Sequence, residues 1–270
     1  MSKLIFAGFN RLFKNKLFWI CSATMLAIGL ALPFVTDKDT KLERIFFVFT
    51  IIVGIFSAVF TGLFIGTEYG DGTMKNKLII GHSRVSIYLS NLFICAVAGI
   101  FMQICFTLAI CAVGIPRLGM PELKFSVLFF QYFISILSTV AFAAIYTMFG
   151  MLISTRSIGV VISILLAIFL TFFAVYCNSS LHEPAYFDSY SYSDSSGNTI
   201  HESESPNPHY LSGTKREIYQ FIYDFQPMGQ SLQLTTLEMT NLNRLPLYSI
   251  AIILLTTGGG LIFFRKKDIK

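Results

Sequence analysis

The sequence predicts an all-α integral membrane protein of six transmembrane helices, and three observations predict it. Of the 270 residues 54% are hydrophobic and only 13% charged, with 28 Phe, where a soluble domain carries about 25% charge. The apolar residues gather into six long runs. Each can cross a hydrocarbon layer roughly 30 Å thick at about 1.5 Å rise per residue. The bases, third, gather between alternate runs. Lipid offers no water to unpaired backbone groups, so the runs must be helices.

The elements follow in chain order. Residues 1–16 place Leu4, Ile5, Phe6, Phe9, Leu12 and Phe13 near helical spacing, with Lys3, Asn10, Arg11, Lys14 and Lys16 largely on the other face. This pattern predicts an N-terminal interfacial helix whose bases lie over anionic headgroups; simple flanking charge is the plainer alternative. The spans are 17–35, 45–65, 87–115, 125–153, 158–177 and 247–264. The first is too long, and too far from the N-terminus, for a cleaved signal and reads as a retained anchor. The third and fourth exceed a bilayer and must tilt, kink or extend into water. In the second span Gly54, Ala58, Gly62 and Gly66 recur every four residues, a stripe that lets another helix approach within the chain or across a dimer. Ala23, Ala27 and Ala31 repeat the idea in the first. Gly258, Gly259 and Gly260 have no preceding strand and no following Lys-Ser/Thr, so they pack a helix rather than hold a phosphate.

The spans so drawn contain no Asp, Glu, Lys, Arg or His, which argues against an ion-coupled carrier or a voltage sensor. Gln103 and Gln131 are their strongest polar groups and suit hydrogen bonds between helices. Cys21, Cys95, Cys105, Cys111 and Cys177 lie in or beside spans, where they pack as small apolar residues. The four His lie outside the spans, not spaced with Cys as metal ligands.

Orientation comes from the bases. With both termini on one side, that side holds twelve Lys and Arg against three acids, net +9, and the other side nets −4, together the +5 of the chain. The positive-inside rule puts both termini in the cytoplasm, Lys75 inside and Ser195 outside. Residues 178–246 form a large outer loop between the fifth and sixth spans. Its part 179–212, rich in Ser, Tyr, Asp and Pro, reads as an irregular solvated loop, or one whose tyrosines face a ligand. Thr214 and Glu217 then make a capping-box pattern, and Ile218, Phe221, Ile222 and Phe225 an amphipathic helix ended by Pro227 and Gly229. A second helix over 231–241 leads to the last span, and the pair would cap the outer mouth.

The inner segment 66–86 is a charged island between two apolar runs. Gly70, Gly72 and Gly81 break it, and a short helix between them is expected to show Met74, Leu78 and Ile79 on one side. It reads either as an ordinary charged loop or as a surface that passes force from a soluble partner to the spans.

The run Glu68-Tyr69-Gly70-Asp71-Gly72-Thr73-Met74-Lys75-Asn76-Lys77-Leu78-Ile79-Ile80-Gly81-His82-Ser83-Arg84 resembles the cytoplasmic loop of ABC-2 type exporter permeases. The likeness lies in a glutamate, a Gly-Thr four residues on, an aliphatic pair and a Ser-Arg before the third span. Many members carry a proline where this chain has His82. The outer Pro227-Met228-Gly229-Gln230 and the tail from Gly260 to Ile269 are similar to the same family, in the same span order. The resemblance implies an ABC-2 exporter-like permease that dimerises with a second copy or a related permease and couples to a separate ABC ATPase subunit. It further implies that Glu68, Tyr69, Gly72, Thr73, Met74, Lys75, Lys77 and Arg84 dock that ATPase, with no catalytic residue, cofactor or metal in this chain. The sequence has no Gly-x-x-x-x-Gly-Lys-Ser/Thr loop, so ATP hydrolysis has to occur on another chain. The expected cargo is hydrophobic or amphipathic, such as a lipid, a drug or an antimicrobial peptide, and the expected home is the cell membrane. An intramembrane enzyme would need paired acids or His clusters at depth, which the spans lack. A scaffold or sensor without transport is the remaining alternative.

Overall fold

The computed structural model describes residues 1–193, 199–202 and 204–268, and it is a multi-pass helical membrane protein. The spanning helices are α2 (Lys16–Val35), α4 (Phe49–Gly70), α6 (Arg84–Leu118), α7 (Phe125–Leu152), α8 (Arg156–His182) and α11 (Leu245–Lys266). The short α1 (Ser2–Lys14) and α5 (Thr73–Ile79) lie on the face that holds the termini. The opposite face carries α3 (Leu42–Phe46), α9 (Gly213–Phe225) and α10 (Pro227–Thr236).

Helix α4 is central, packed on α6, α7 and α8, while α2 lies against α6 and α11 against α7. Its phenylalanines Phe49, Phe60 and Phe64 are buried with Phe18 and Phe106. Small residues set the closest approaches. A Cβ on Gly62 would lie 3.1 Å from the Val160 Cα, and one on Gly66 3.2 Å from the Arg156 Cα, so the lower half of the four-residue stripe faces α8 of the same chain. Gly54 instead faces Phe142 and Met228, and Ala58 is buried. Gln103 ties α6 to α7: its Nε2 donates to the Ser135 Oγ at 2.8 Å and its Oε1 accepts from Thr139 at 3.1 Å. In α8, by contrast, Leu165, Phe169 and Phe172 stay exposed, as lipid-facing residues do.

Several boundaries differ from the sequence expectation. The second run breaks between α3 and α4, where the Phe47 carbonyl accepts from the Thr50 N–H at 3.0 Å and from the Thr50 and Thr235 hydroxyls at 2.8 and 3.3 Å. Helix α4 runs on to Gly70, so Glu68 belongs to a spanning helix. Helix α8 continues past Cys177 to His182, steadied by Tyr223, whose hydroxyl donates to Asn178 Oδ1 at 2.8 Å.

The described residues of the outer segment hold regular elements that its composition does not predict. Strand β1 (Tyr186–Phe187) pairs antiparallel with β4 (Ser205–Pro206), and β2 (Tyr190–Ser193) with β3 (Thr199–Glu202). The alternating Tyr-Ser-Tyr-Ser of β2 suits an extended chain. Ser195, placed outside by charge, lies outside the described residues. Helix α9 is capped by Ser212, without a side-chain bond, so Thr214 and Glu217 sit inside the helix and form no capping box. Pro227 does not merely end α9; it opens α10, where its fixed φ and missing N–H cost nothing. Gly229 lies within α10 because the Tyr223 carbonyl oxygen comes within 2.0 Å of where a Cβ would stand. The second outer helix therefore starts four residues earlier than 231 and stops at Thr236, where Leu237 turns left-handed.

Candidate functional site

The polar centre of the molecule sits where α1, α4, α5 and α6 meet on the termini face. Helix α1 folds as an amphipathic element with Leu4 and Leu12 buried, and Gly8 makes room for the Ile94 side chain of α6. Its polar side does not simply lie over headgroups. Arg11 turns inward: its guanidinium stands 3.6 Å over the Phe64 ring, donates to the Phe64 carbonyl at 3.1 Å and pairs with Glu68.

Glu68, in the last turn of α4, is 2% exposed. Its Oε1 accepts from Arg11 and from Lys77 of α5, and its Oε2 from Asn91 Nδ2 of α6 at 2.9 Å. Its backbone carbonyl accepts from the Thr73 hydroxyl at 3.2 Å. One carboxylate thus joins four helices. Two cations and an amide offset the cost of burying it, and taking away one partner would leave buried charge uncompensated.

A second set of bonds lies beside the first. The Tyr69 hydroxyl donates to the Met151 carbonyl at 2.6 Å and accepts from Lys267 Nζ at 2.9 Å; Lys267 also donates to Met151 O at 2.9 Å. Burial pushes the Lys267 ammonium down to about 8. Arg84 donates to the Phe264 carbonyl at 2.9 Å and to that of Lys267. These contacts fix the ends of α6, α7 and α11 to the end of α4.

Helix α5 covers this cluster. Gly72 (φ +66) and Gly81 (φ +93) take left-handed conformations that a Cβ disfavours, turning the chain out of α4 and back toward α6. Met74 is buried, with Leu78 and Lys77 half-buried behind it, while Lys75 and Asn76 point away. Ile79 does not share the Met74 face: it is 71% exposed, and Ile80 is 75% exposed. Met74 and Leu78 are four residues apart and align, whereas Ile79 falls well round the helix from both.

Of the eight residues expected to dock a partner, Gly72, Thr73 and Lys75 are at the surface; Glu68, Tyr69, Met74, Lys77 and Arg84 are wholly or partly withdrawn into the clusters that hold the corner in place. The expected group of Glu68 with Lys75, Lys77 and Arg84 reduces to Glu68 with Lys77. Arg11 and Asn91 take the other positions on Glu68, and Lys267 pairs instead with Tyr69. Asn91, inside an apolar run, was the one signal available for them. No family model and no curated protein matches this chain. What the site does follows from its own geometry.

Proposed function

We propose that the chain is the membrane-spanning permease subunit of an ATP-binding cassette exporter of the ABC-2 type, with the α4–α5 corner as the foot that receives force from a separate ATPase. The observation that carries this reading is the corner itself. It presents Asp71, Lys75, Asn76, Ile79 and Ile80 outward while Glu68 binds its root to α1, α4 and α6. An exposed aliphatic pair ringed by polar residues suits a protein partner. A push on α5 reaches α4 through Lys77 and Glu68, because the two side chains are hydrogen-bonded and Glu68 is buried.

The charge pattern supports a foot and both termini on the cytoplasmic side of the cell membrane. With no phosphate loop of its own, the permease takes its energy from the ATPase and pairs with a second permease, a copy of itself or a relative. The apolar spans favour a hydrophobic or amphipathic cargo. The experiment is purification of the chain from its native membrane, identification of any ATPase chain that travels with it, and ATP turnover of that complex in vesicles. The wild-type chain retains the ATPase, and Ile79→Asp with Ile80→Asp loses it. Retention by that variant, with unchanged turnover, would contradict the assignment of the foot.

A further inference from the structure

On the face opposite the termini, α9, the turn 237–244 and the end of α8 enclose an open pocket of about 1050 Å³, at the upper end of the size of small-ligand sites. The foot and its clusters lie on the other face and make no use of it. At its floor is the Asp224 carboxylate, 1% exposed. All its side-chain partners are neutral: Gln220 and Gln233 donate to Oδ1 at 2.7 and 3.0 Å, and Asn241 to Oδ2 at 2.8 Å. Asp224 lines the pocket between Gln220 and Asn241, with no ion-pair partner among the described residues. A charge withdrawn from water with no counter-charge is costly. The fold keeps this one at a pocket floor.

The walls carry further unneutralised charge. Arg216, Glu217 and Arg244 line the same space, and none has an ion-pair partner among the described residues. Phe221, Met239 and Tyr248 supply an apolar side. Charges of both signs, amides and an aromatic wall together suit a ligand that carries both charges and an apolar group.

We propose that this outer pocket binds a peptide segment bearing a basic and an acidic group, the basic group against Asp224 and the acidic group between Arg216 and Arg244. A zwitterionic lipid headgroup brings one charge of each sign but no backbone amides for Gln220, Thr240 and Asn241. A peptide brings both. The site does not depend on the transport reading, since it is complete within one chain.

The test uses the full chain in nanodiscs, with no ATPase or nucleotide present, titrated calorimetrically with the N-acetylated, C-amidated tetrapeptide Lys-Leu-Phe-Glu, whose only charges are its two side chains. Saturable binding is expected. Arg244→Gln, at an exposed position, and Arg216→Gln, at a half-buried one over the Tyr210 ring, should together weaken it about tenfold or more, as expected for a lost charge-assisted hydrogen bond, with a melting curve like that of wild type. A peptide with norleucine for Lys should lose a similar factor on the wild-type chain, which tests the Asp224 end without altering the protein. No saturable binding, equal binding by the arginine variant and by the norleucine peptide, or displacement of the peptide by phosphatidylethanolamine vesicles would each overturn the proposal.

Discussion

Glu68→Ala should destabilise the whole protein, not only its coupling to a partner. The substitution leaves Arg11 and Lys77, whose side chains are 31% and 22% exposed, facing each other across an emptied site, and removes the acceptor of Asn91. Breaking a buried pair by deleting one member costs about 3 to 5 kcal/mol. Because both cations keep some access to water, the low end, about 3 kcal/mol, is expected. For a chain of this size that lowers the Tm by roughly 6 to 12 °C. Thermal unfolding in detergent, followed by intrinsic fluorescence, reads the shift. Adding Arg11→Met to Glu68→Ala should cost little more, since the two act through one contact and their effects are not additive. A Tm within about 2 °C of wild type for Glu68→Ala would refute the reasoning, because the carboxylate would then hold nothing together.

Three further outcomes are expected. Gly62→Leu should force α8 away from α4, since even a Cβ there lies 3.1 Å from the Val160 Cα; a loss of about 1 to 3 kcal/mol appears as a lower Tm, and no change would place the stripe elsewhere. Lys267, pushed down to about 8 by burial, should make stability rise with pH between about 8 and 10. In that window the unfolded chain, with its ordinary lysine pKa near 10.4, holds a proton that the folded chain has released. Lys267→Met should flatten that slope in pH-dependent melting curves. Single cysteines in a Cys-free background should react with an impermeant reagent in intact cells at position 195 and not at 75; the reverse pattern would invert the orientation.

How much of this was legible in the sequence depends on which force sets each feature. The six spans were legible because lipid permits nothing else, and their order follows from hydropathy and charge alone. Their ends were less so. Helix α4 runs past Glu68 to Gly70: this charge by composition belongs outside the membrane and in the fold is satisfied by Arg11, fifty-seven residues earlier. No local pattern encodes such a long-range pair. Pro227 was read as a stop because proline ends helices more visibly than it begins them, yet Gln226 is extended and frees it to start α10. The periodicity of α5 was visible, but assigning Ile79 to the buried face took spacing as five residues where the helix aligns four. The polar cluster beside the outer pocket was hidden for a different reason: Asp224 and Gln233 look like ordinary surface residues until the fold of α9 on α10 buries them, with Gln220 and Asn241 half-buried beside them.

The central claim is that the α4–α5 corner is a force-receiving foot. It is tested most directly by ATP turnover of the purified complex in reconstituted vesicles, compared between wild type and a variant carrying Lys75→Glu, Ile79→Asp and Ile80→Asp. All three positions are exposed, so the variant should melt like wild type. The account predicts that it inserts normally, fails to retain the ATPase and shows no cargo-stimulated turnover. Full retention of the ATPase with wild-type stimulation would contradict it.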